Sequence, residues 1–394
     1  MEIDIPKIDL RNEVLEYTKS LKVPGTECEF KLSASSNATI YGSLFALFIK
    51  DLFKDTENFS EAVRNSWIQY IQSFQDPETG YFFARDVDKP KSLRNKYQLT
   101  AFCLSALRIL KSNPEYNLNF VYKEFPTNNS IRNYLFRNGC HEGRPGSGNF
   151  AMFLGIFLTY EYEKTGNKDL LDKINTWFEF HNETQNPKTG FWGIGIDHDY
   201  YEGFQNALHQ FIIYKYHNRP YPNIQKAIKR IKILRDNEGL FNKTPGGFGC
   251  YEYDALEYIV HYFSKNKADE QLKKILLKSM NGILSLQKAD GGFPLMDDIK
   301  YDLWGFLRYS RFFLSCNNPQ ILLYRLKIYL KSTIRKFHKQ RTYYNWSNEG
   351  TRTTESNLWD TWLRCLSIAL ISNILKLDTA NLFRFHKFIG IGYN

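Results

Sequence analysis

Gln185-Asn186-Pro187-Lys188-Thr189-Gly190-Phe191-Trp192-Gly193 decides the fold, because this stretch recurs along the chain. A near copy is Gln75-Asp76-Pro77-Glu78-Thr79-Gly80-Tyr81-Phe82-Phe83, and looser copies begin at Arg235 and Gln287. Each copy follows a helix-like apolar run and closes with Gly and an aromatic residue. The starting positions indicate a spacing of roughly 50 to 55 residues with one unit too degenerate to read, which is typical of a repeat architecture.

The chain is longer than one ordinary core needs. Its 394 residues would by themselves favour two domains, but repeats relax this limit because each unit packs mainly on its neighbours. Aromatic residues make up 16% of the sequence. Two explanations stay open for this content: a compositional bias of the coding sequence, or a cavity walled by aromatic rings.

Charge and composition limit the classes of binding partner and the cellular compartment that we expect. The net charge of +10 favours an anionic small-molecule, lipid-linked or glycan substrate, while no nucleic-acid-binding module is present. The six cysteines are scattered without a C-x-x-C pair, which argues against a disulfide framework. We expect a cytoplasmic protein, because neither a secretory signal nor an apolar run of about 18 residues occurs.

Helical periodicity dominates the remaining sequence. About twelve segments have the apolar spacing of α-helices, and none requires a strand. Nearly half of these segments are apolar on all sides, as is typical of helices buried on both faces. We therefore predict an all-α fold: an α/α toroid, a barrel of about six helical hairpins in two concentric layers. It would form a single domain over residues 1–394, with 1–35 a possible N-terminal extension.

The Gln-Gly-aromatic turns, at Gln185 and Gln287 above all, resemble the repeats of squalene-cyclase and protein-prenyltransferase-like α/α toroids. The resemblance covers roughly residues 60–300. It implies a toroid in which the Gln side chain bonds backbone groups at a helix end and the aromatic residue packs between layers. It also implies isoprenoid chemistry in a central cavity, although toroids of this shape carry other activities too.

Candidate acids lie in Cys250-Tyr251-Glu252-Tyr253-Asp254, at the start of a helix. The Asp-x-Asp-Asp run of squalene-type cyclases is absent, and this is its nearest approach. Burial could separate the pKa values of Asp254 and Glu252, leaving one held proton for acid catalysis. Alternatively, Glu252 is only a favourable charge in a first helical turn. Cys250, Asp254 and His261 could together hold zinc, but one helix presents three ligands poorly, so we assign no metal ligand and leave a divalent metal open.

Further candidates lie in loops and at helix starts. His198 is the candidate titratable histidine, beside Asp199, which could equally cap a helix. Arg144 lies in a Gly-rich loop that could hold an anion. With the catalytic candidates Asp254, Glu252 and His198, we assign to substrate binding Arg144, Asp199, Trp192, Glu355, Trp359 and Asp360.

Three functions compete on these residues. The first is a terpenoid-cyclase or prenyltransferase-like enzyme that performs acid catalysis on an isoprenoid or isoprenoid-linked substrate. The alternative is a carbohydrate-active enzyme (glycosidase, lyase or epimerase) acting on an anionic or lipid-linked glycan, with Trp platforms and paired carboxylates. The third is a helical scaffold without catalysis, which the polar groups in the Gly-rich loops disfavour.

Overall fold

The structure is a computed structural model that describes residues 9–85, 93–193, 200–316, 318–335, 341–343 and 350–390. The side chains of 93–95, 335 and 341–343 lie outside this description, as do the candidates His198 and Asp199. Within it the chain forms two compact units. Unit 1 holds the described residues of 1–57, 228–343 and 349–384, and unit 2 holds the described residues of 58–227 and 385–394.

Unit 2 is built of helices. Their bounds are α3 Glu61–Gln72, α4 Leu93–Ile109, α5 Asn119–Glu124, α6 Asn128–Arg137, α7 Ser147–Thr165, α8 Lys168–Thr184 and α9 Glu202–Tyr216. The division between the units falls within α10, Ile224–Leu234. Helix α7 is the centre of the packing in unit 2, because it contacts α4, α8 and α9. Its apolar side chains are buried on all sides from Ala151 to Tyr160, as the sequence predicts for an inner helix.

Unit 1 joins the N-terminal segment to the C-terminal half. Its helices are α1 Leu10–Ser20, α2 Ile40–Leu52, α11 Gly249–Lys265, α12 Glu270–Leu284, α13 Leu303–Arg308, α14 Ser310–Leu314, α15 Pro319–Arg335 and α16 Leu358–Leu375. Two short antiparallel pairs accompany them, β1 Phe30–Lys31 with β2 Ala38–Thr39 and β3 Arg341–Tyr343 with β4 Gly350–Arg352. Helix α16 contacts α11, α2 and α12 and forms the core of the unit.

The prediction of an all-α fold is confirmed, since helices make up most of the described chain and the strands hold only two or three residues each. Closure into a ring and concentric layers stay predictions. Two local differences from the sequence-based expectation occur. The apolar run over 301–314 predicts one helix, but the structure divides it into α13 and α14 at Tyr309; the Asn- and Pro-rich stretch 113–127 predicts a loop, but part of it forms the short helix α5. None of the helices in the described ranges is both long and apolar enough to span a membrane.

The repeated turns have the structure that their sequence predicts. The side-chain amide of each Gln donates a hydrogen bond to a Gly carbonyl of its own turn: Gln75 to Gly80 and Gln185 to Gly190 at 3.1 Å, and Gln287 to Gly291 at 3.0 Å. Each of these glycines has a positive φ, between 76° and 87°, which a residue without a Cβ adopts at little cost. The turn therefore closes the helix end and sends the following aromatic residue into the core.

The N-terminal segment, expected to be an extension, packs into unit 1. Leu10, Val14 and Tyr17 of α1 are buried. The backbone N–H of Lys31 donates to the carbonyl of Leu21, and that of Leu358 at the start of α16 donates to the carbonyl of Leu32. Residues 9–35 are therefore part of the unit that holds most of the described candidate residues.

Candidate active site

A loop with two glycines leads into α11 and shapes the site. Gly246 and Gly247 have φ values of +91° and +74°, which allow the chain to reverse immediately before the helix. The Asn242 side chain fixes this reversal by donating to the Thr244 hydroxyl at 2.7 Å and to the Gly247 carbonyl at 2.9 Å. The backbone between Asn242 and the helix start is thus held in one conformation.

Asp360 meets the first residue of α11. Its carboxylate accepts a hydrogen bond from the Asn357 side chain at 2.7 Å, while the Asn357 side chain caps the Asp360 backbone N–H at 2.9 Å. A Cβ added to Gly249 would lie only 1.9 Å from the Asp360 Oδ1 atom. The absence of a side chain at Gly249 therefore lets a fully buried carboxylate approach the start of α11.

Glu252 is fully buried beneath the same loop. Its carboxylate accepts the backbone N–H of Phe248 at 3.0 Å and that of Phe241 at 3.4 Å. Burial raises the pKa of Glu252 to about 7, against the lowering effects of the Arg364 charge and these N–H groups. A carboxyl that changes protonation near neutral pH suits general acid–base chemistry.

The hydrogen bonds that Glu252 accepts can be compared with those at the other repeated turns. At two other turns the N–H of the closing aromatic residue donates to a threonine hydroxyl: Phe82 to Thr100 at 3.0 Å and Phe293 to Thr361 at 2.9 Å. At the turn that ends in Phe241 this acceptor is the Glu252 carboxylate. An ionisable group is more costly to bury than a hydroxyl, so backbone capping alone does not require Glu here.

Arg364 of α16 was not among the residues that the sequence singled out. It is fully buried, and its Nη2 atom donates to the Leu295 carbonyl at 3.0 Å. Its Nε and Nη1 atoms have no hydrogen-bond partner among the described residues. Buried N–H groups are nearly always paired, so this guanidinium is an exception that needs an explanation. One arginine within the apolar run Leu363–Leu370 is the sequence signal that could have found it.

A pocket of about 440 Å³ opens in unit 1 beside these residues. Its wall is mainly apolar, with two lysines and several hydroxyl groups. The lining side chains are Asn242, Lys243, Thr244, Phe248, Tyr251, Leu295, Met296, Asp297, Ile299, Tyr301, Ile328, Lys331, Ser332, Thr353 and Thr354. Glu252 and Arg364 lie directly behind this wall, since they bind the backbone of the lining residues Phe248 and Leu295.

Asp297 gains a position that the sequence did not predict. The sequence Asp297-Asp298 followed by Asp302 is typical of a helix start, but Asp297 lines the pocket and its carboxylate pairs with Lys288 at 3.1 Å. Its N–H donates to the Gly246 carbonyl at 3.2 Å, which joins this segment to the loop before α11. Asp254 follows Tyr251 by three residues, which is about one turn of α11. It is buried, with 4% of its surface exposed.

Glu355 and Trp359 lie elsewhere in unit 1. The Glu355 carboxylate accepts from the Ser35 backbone N–H at 2.8 Å and from its hydroxyl at 2.6 Å. Burial raises the pKa of Glu355, but the hydrogen bonds from Ser35 outweigh burial and hold the pKa below its usual range. The Trp359 ring packs on Phe45, with centroids 4.8 Å apart. Both contacts serve packing, and a substrate role for either residue stays a prediction.

Tyr17 is a further buried group that the sequence missed. Its hydroxyl has no hydrogen-bond partner among the described residues. Burial, followed by the charges of Asp290, Glu355 and Asp360, raises the pKa of Tyr17 well above its ordinary value. The neutral phenol is therefore strongly favoured in a region that holds three carboxylates.

Trp192 and Arg144 belong to unit 2. Trp192 is buried, and its indole N–H donates to the His181 carbonyl at 2.9 Å. Arg144 is exposed and pairs with Glu142 at 2.7 Å. Neither residue contributes to the pocket of unit 1, and their assignment to substrate binding stays a prediction.

Metal binding was considered for Cys250, Asp254 and His261. Among the residues that the structure describes, no group of three or more His, Cys, Asp or Glu side chains is close enough to hold a metal ion. Helix α11 thus spreads these three side chains along its length without gathering them.

With this geometry established, the chain was compared with known proteins. It matches no family model, and the searches of curated proteins and of solved structures found no match either. The resemblance to cyclase and prenyltransferase toroids therefore depends on the repeated turns alone.

Proposed function

We propose that this protein is an enzyme that acts on an isoprenoid or isoprenoid-linked substrate in the unit 1 pocket. The observation that carries the proposal is the composition of the pocket wall. Tyr251, Leu295 and Ile299 offer apolar and aromatic surface for a hydrocarbon chain, and Lys243 and Lys331 offer positive charge for a diphosphate or phosphate head. The volume of about 440 Å³ falls in the usual range for small-molecule sites.

Glu252, which lies behind the pocket wall and does not line it, is proposed to hold the proton that the reaction uses. Its pKa of about 7 means that protonated and ionised forms coexist at neutral pH, as proton transfer in either direction requires. Arg364 is the proposed positioning residue, because its charge opposes the effect of burial on the Glu252 pKa. Its two unpartnered N–H groups supply donors directly behind the pocket wall.

The alternative, a carbohydrate-active enzyme, has less support from the same pocket. Sugar sites commonly present tryptophan faces, and no tryptophan is among the described lining residues. Trp67, Trp177 and Trp362 are fully buried, and Trp304, which is 76% exposed on α13, does not line the pocket. We therefore place the isoprenoid substrate first and keep acidic oligosaccharides as the competing ligand in the test.

Binding of farnesyl diphosphate, measured by isothermal titration calorimetry, tests the substrate class. We expect the full chain to bind it more tightly than either inorganic diphosphate or farnesol. Lys243→Met should weaken binding about ten- to a hundredfold, since hydrogen bonds to charged groups contribute about 1.5–3 kcal/mol. Lys274→Met is the matched control, because Lys274 is exposed on α12 and should leave the affinity unchanged.

Catalysis is tested separately with Glu252→Gln. This variant should still bind farnesyl diphosphate but should form no product. Chromatography of the reaction mixture measures product formation. Full turnover by Glu252→Gln would refute its role as the acid. Binding of oligogalacturonate in place of farnesyl diphosphate would refute the isoprenoid substrate and favour the glycan alternative.

A further inference from the structure

Exposed apolar side chains are concentrated on α13, α14 and α15, where α14 contacts both of the other helices; we call their exposed sides the α13–α15 face. Large apolar residues are normally exposed singly, whereas a contiguous patch marks an interaction site. The exposed fractions on this face are Leu303 72%, Trp304 76%, Leu307 54%, Leu314 77%, Leu323 66%, Leu330 60% and Ile334 84%.

These side chains are not needed for the core of the same helices. The buried sides of α14 and α15 already form a cluster that includes Phe312, Phe313 and Tyr329. On α13, Gly305 packs so closely that an added Cβ would meet the Lys300 carbonyl oxygen at 1.7 Å. The buried sides of these helices thus hold them in the fold. The α13–α15 face is a second apolar surface, on their exposed sides.

The exposed side of α15 mixes apolar residues with lysines. Leu323, Lys327, Leu330, Lys331 and Ile334 follow one another at helical spacing, and all five are exposed. A soluble helix normally places charged residues of both signs on this side. Here the exposed side has the composition of an interfacial helix, with apolar side chains flanked by cations.

The helices α13, α14 and α15 carry basic side chains only, although the exposed Asp302 caps the start of α13. From Leu303 to Arg335 the sequence contains no Asp or Glu. The exposed cations are Arg308, Arg311, Lys327 and Lys331. Within the described part of the chain, none of these four forms an ion pair with a carboxylate. The face therefore combines apolar surface with uncompensated positive charge.

We propose that the α13–α15 face docks on an anionic lipid bilayer surface. The apolar side chains enter the boundary between headgroups and acyl chains, and the cations pair with lipid phosphates and carboxylates. Charge complementarity selects this occupant. A second copy bound through the same face would oppose four cations to four cations, with only Asp302 at the start of α13 to compensate them. The proposal depends on the face alone and not on the proposed function.

Vesicle flotation with the full chain tests the proposal. We expect binding to phosphatidylcholine vesicles that contain about one-third phosphatidylserine, and much weaker binding to phosphatidylcholine alone or at high salt. The triple variant Arg308→Gln/Arg311→Gln/Lys327→Gln should lower partitioning on the order of 100-fold, since each basic residue contributes about 1 kcal/mol, or about fivefold. Lys331 is left unchanged because it also lines the pocket.

Apolar and control variants separate this surface from the rest of the protein. Trp304→Ser/Ile334→Ser should also reduce binding to the anionic vesicles, and circular dichroism checks that it folds, which the exposure of both side chains favours. Phe136→Ser is the matched apolar control, because Phe136 is 60% exposed in unit 2. Lys273→Gln/Lys274→Gln on α12 is the matched charge control.

Three outcomes would overturn the proposal. The wild-type chain could fail to bind anionic vesicles, or the control variants could lose as much binding as the α13–α15 variants. The third outcome would be seen by sedimentation velocity. A wild-type dimer that Trp304→Ser/Ile334→Ser converts to a monomer, without vesicle binding, would make the face an interface between copies of this chain.

Discussion

Replacing Glu252 with Gln should remove a pH dependence of stability. In the unfolded chain this carboxyl has its ordinary pKa of 4.5, and in the folded chain burial raises the pKa to about 7. As the pH rises through this interval the unfolded state loses its proton first, so rising pH destabilises the folded state. The stabilising contribution is complete below the unfolded pKa and is lost above about pH 7. The difference between the folded and unfolded pKa values corresponds to about 3 kcal/mol in the free energy of unfolding.

Urea unfolding of the wild type and Glu252→Gln between about pH 4.5 and 7.5 measures this effect. The wild-type free energy of unfolding minus that of the variant should fall by about 3 kcal/mol across the range. His181 and His217, whose pKa values burial lowers to about 3 and about 4, destabilise the fold at low pH, but both proteins retain them and their effect cancels. Asp236, whose pKa burial raises to about 6, is coupled to Glu252 by charge, so Asp236→Asn is introduced into both proteins before the comparison.

Glu179→Gln is the matched control, because Glu179 is exposed. Its difference from the wild type should stay constant with pH. A difference between the wild type and Glu252→Gln that is equally independent of pH would refute the reasoning. It would mean that Glu252 titrates in the folded protein as it does in the unfolded chain.

The remaining predictions also concern packing and buried charge. Arg364→Met should lower the free energy of unfolding by about 1–3 kcal/mol, because it leaves the buried Leu295 carbonyl without its donor and removes the charge that favours ionised Glu252, and adding Glu252→Gln should recover part of the loss in urea titrations. Gly249→Ala should cost about 1–3 kcal/mol by the same measurement, because its Cβ would lie 1.9 Å from Asp360 Oδ1, and an unchanged stability would contradict this contact. Trp192→Phe should cost about 1 kcal/mol in thermal unfolding, since it removes the indole hydrogen bond to α8.

Much of the local structure could be predicted from the sequence. Helical periodicity located α2, α7 and α16, and the Gln-Gly-aromatic pattern predicted turns whose Gln side chains bind their own Gly carbonyls. These features depend on groups within a few residues of one another, so the local sequence carries the information. Where two short helices replaced one, at Tyr309, the apolar pattern was continuous and contained no stop signal.

The candidate site was predicted only in part. Glu252 was identified from its place at a helix start, but its raised pKa comes from burial beneath Phe241 and Phe248. The sequence predicts a helix start at Asp297, but this residue lines the pocket. The sequence assigns no role to Arg364, which lies within an apolar run and is fully buried. Which side chains meet depends on how helices distant in sequence pack, and periodicity does not specify those partners.

The sequence by itself determined that this protein is helical, where its turns lie and how Gln and Gly close them. Only the tertiary structure decided that Asp360 meets Gly249, that Arg364 lies behind Leu295, and that the apolar side chains around Leu330 face outward. The physical reason is that a helix needs only hydrogen bonds between residues four apart. Burial of a charge or exposure of a leucine depends on the neighbours that the whole fold supplies.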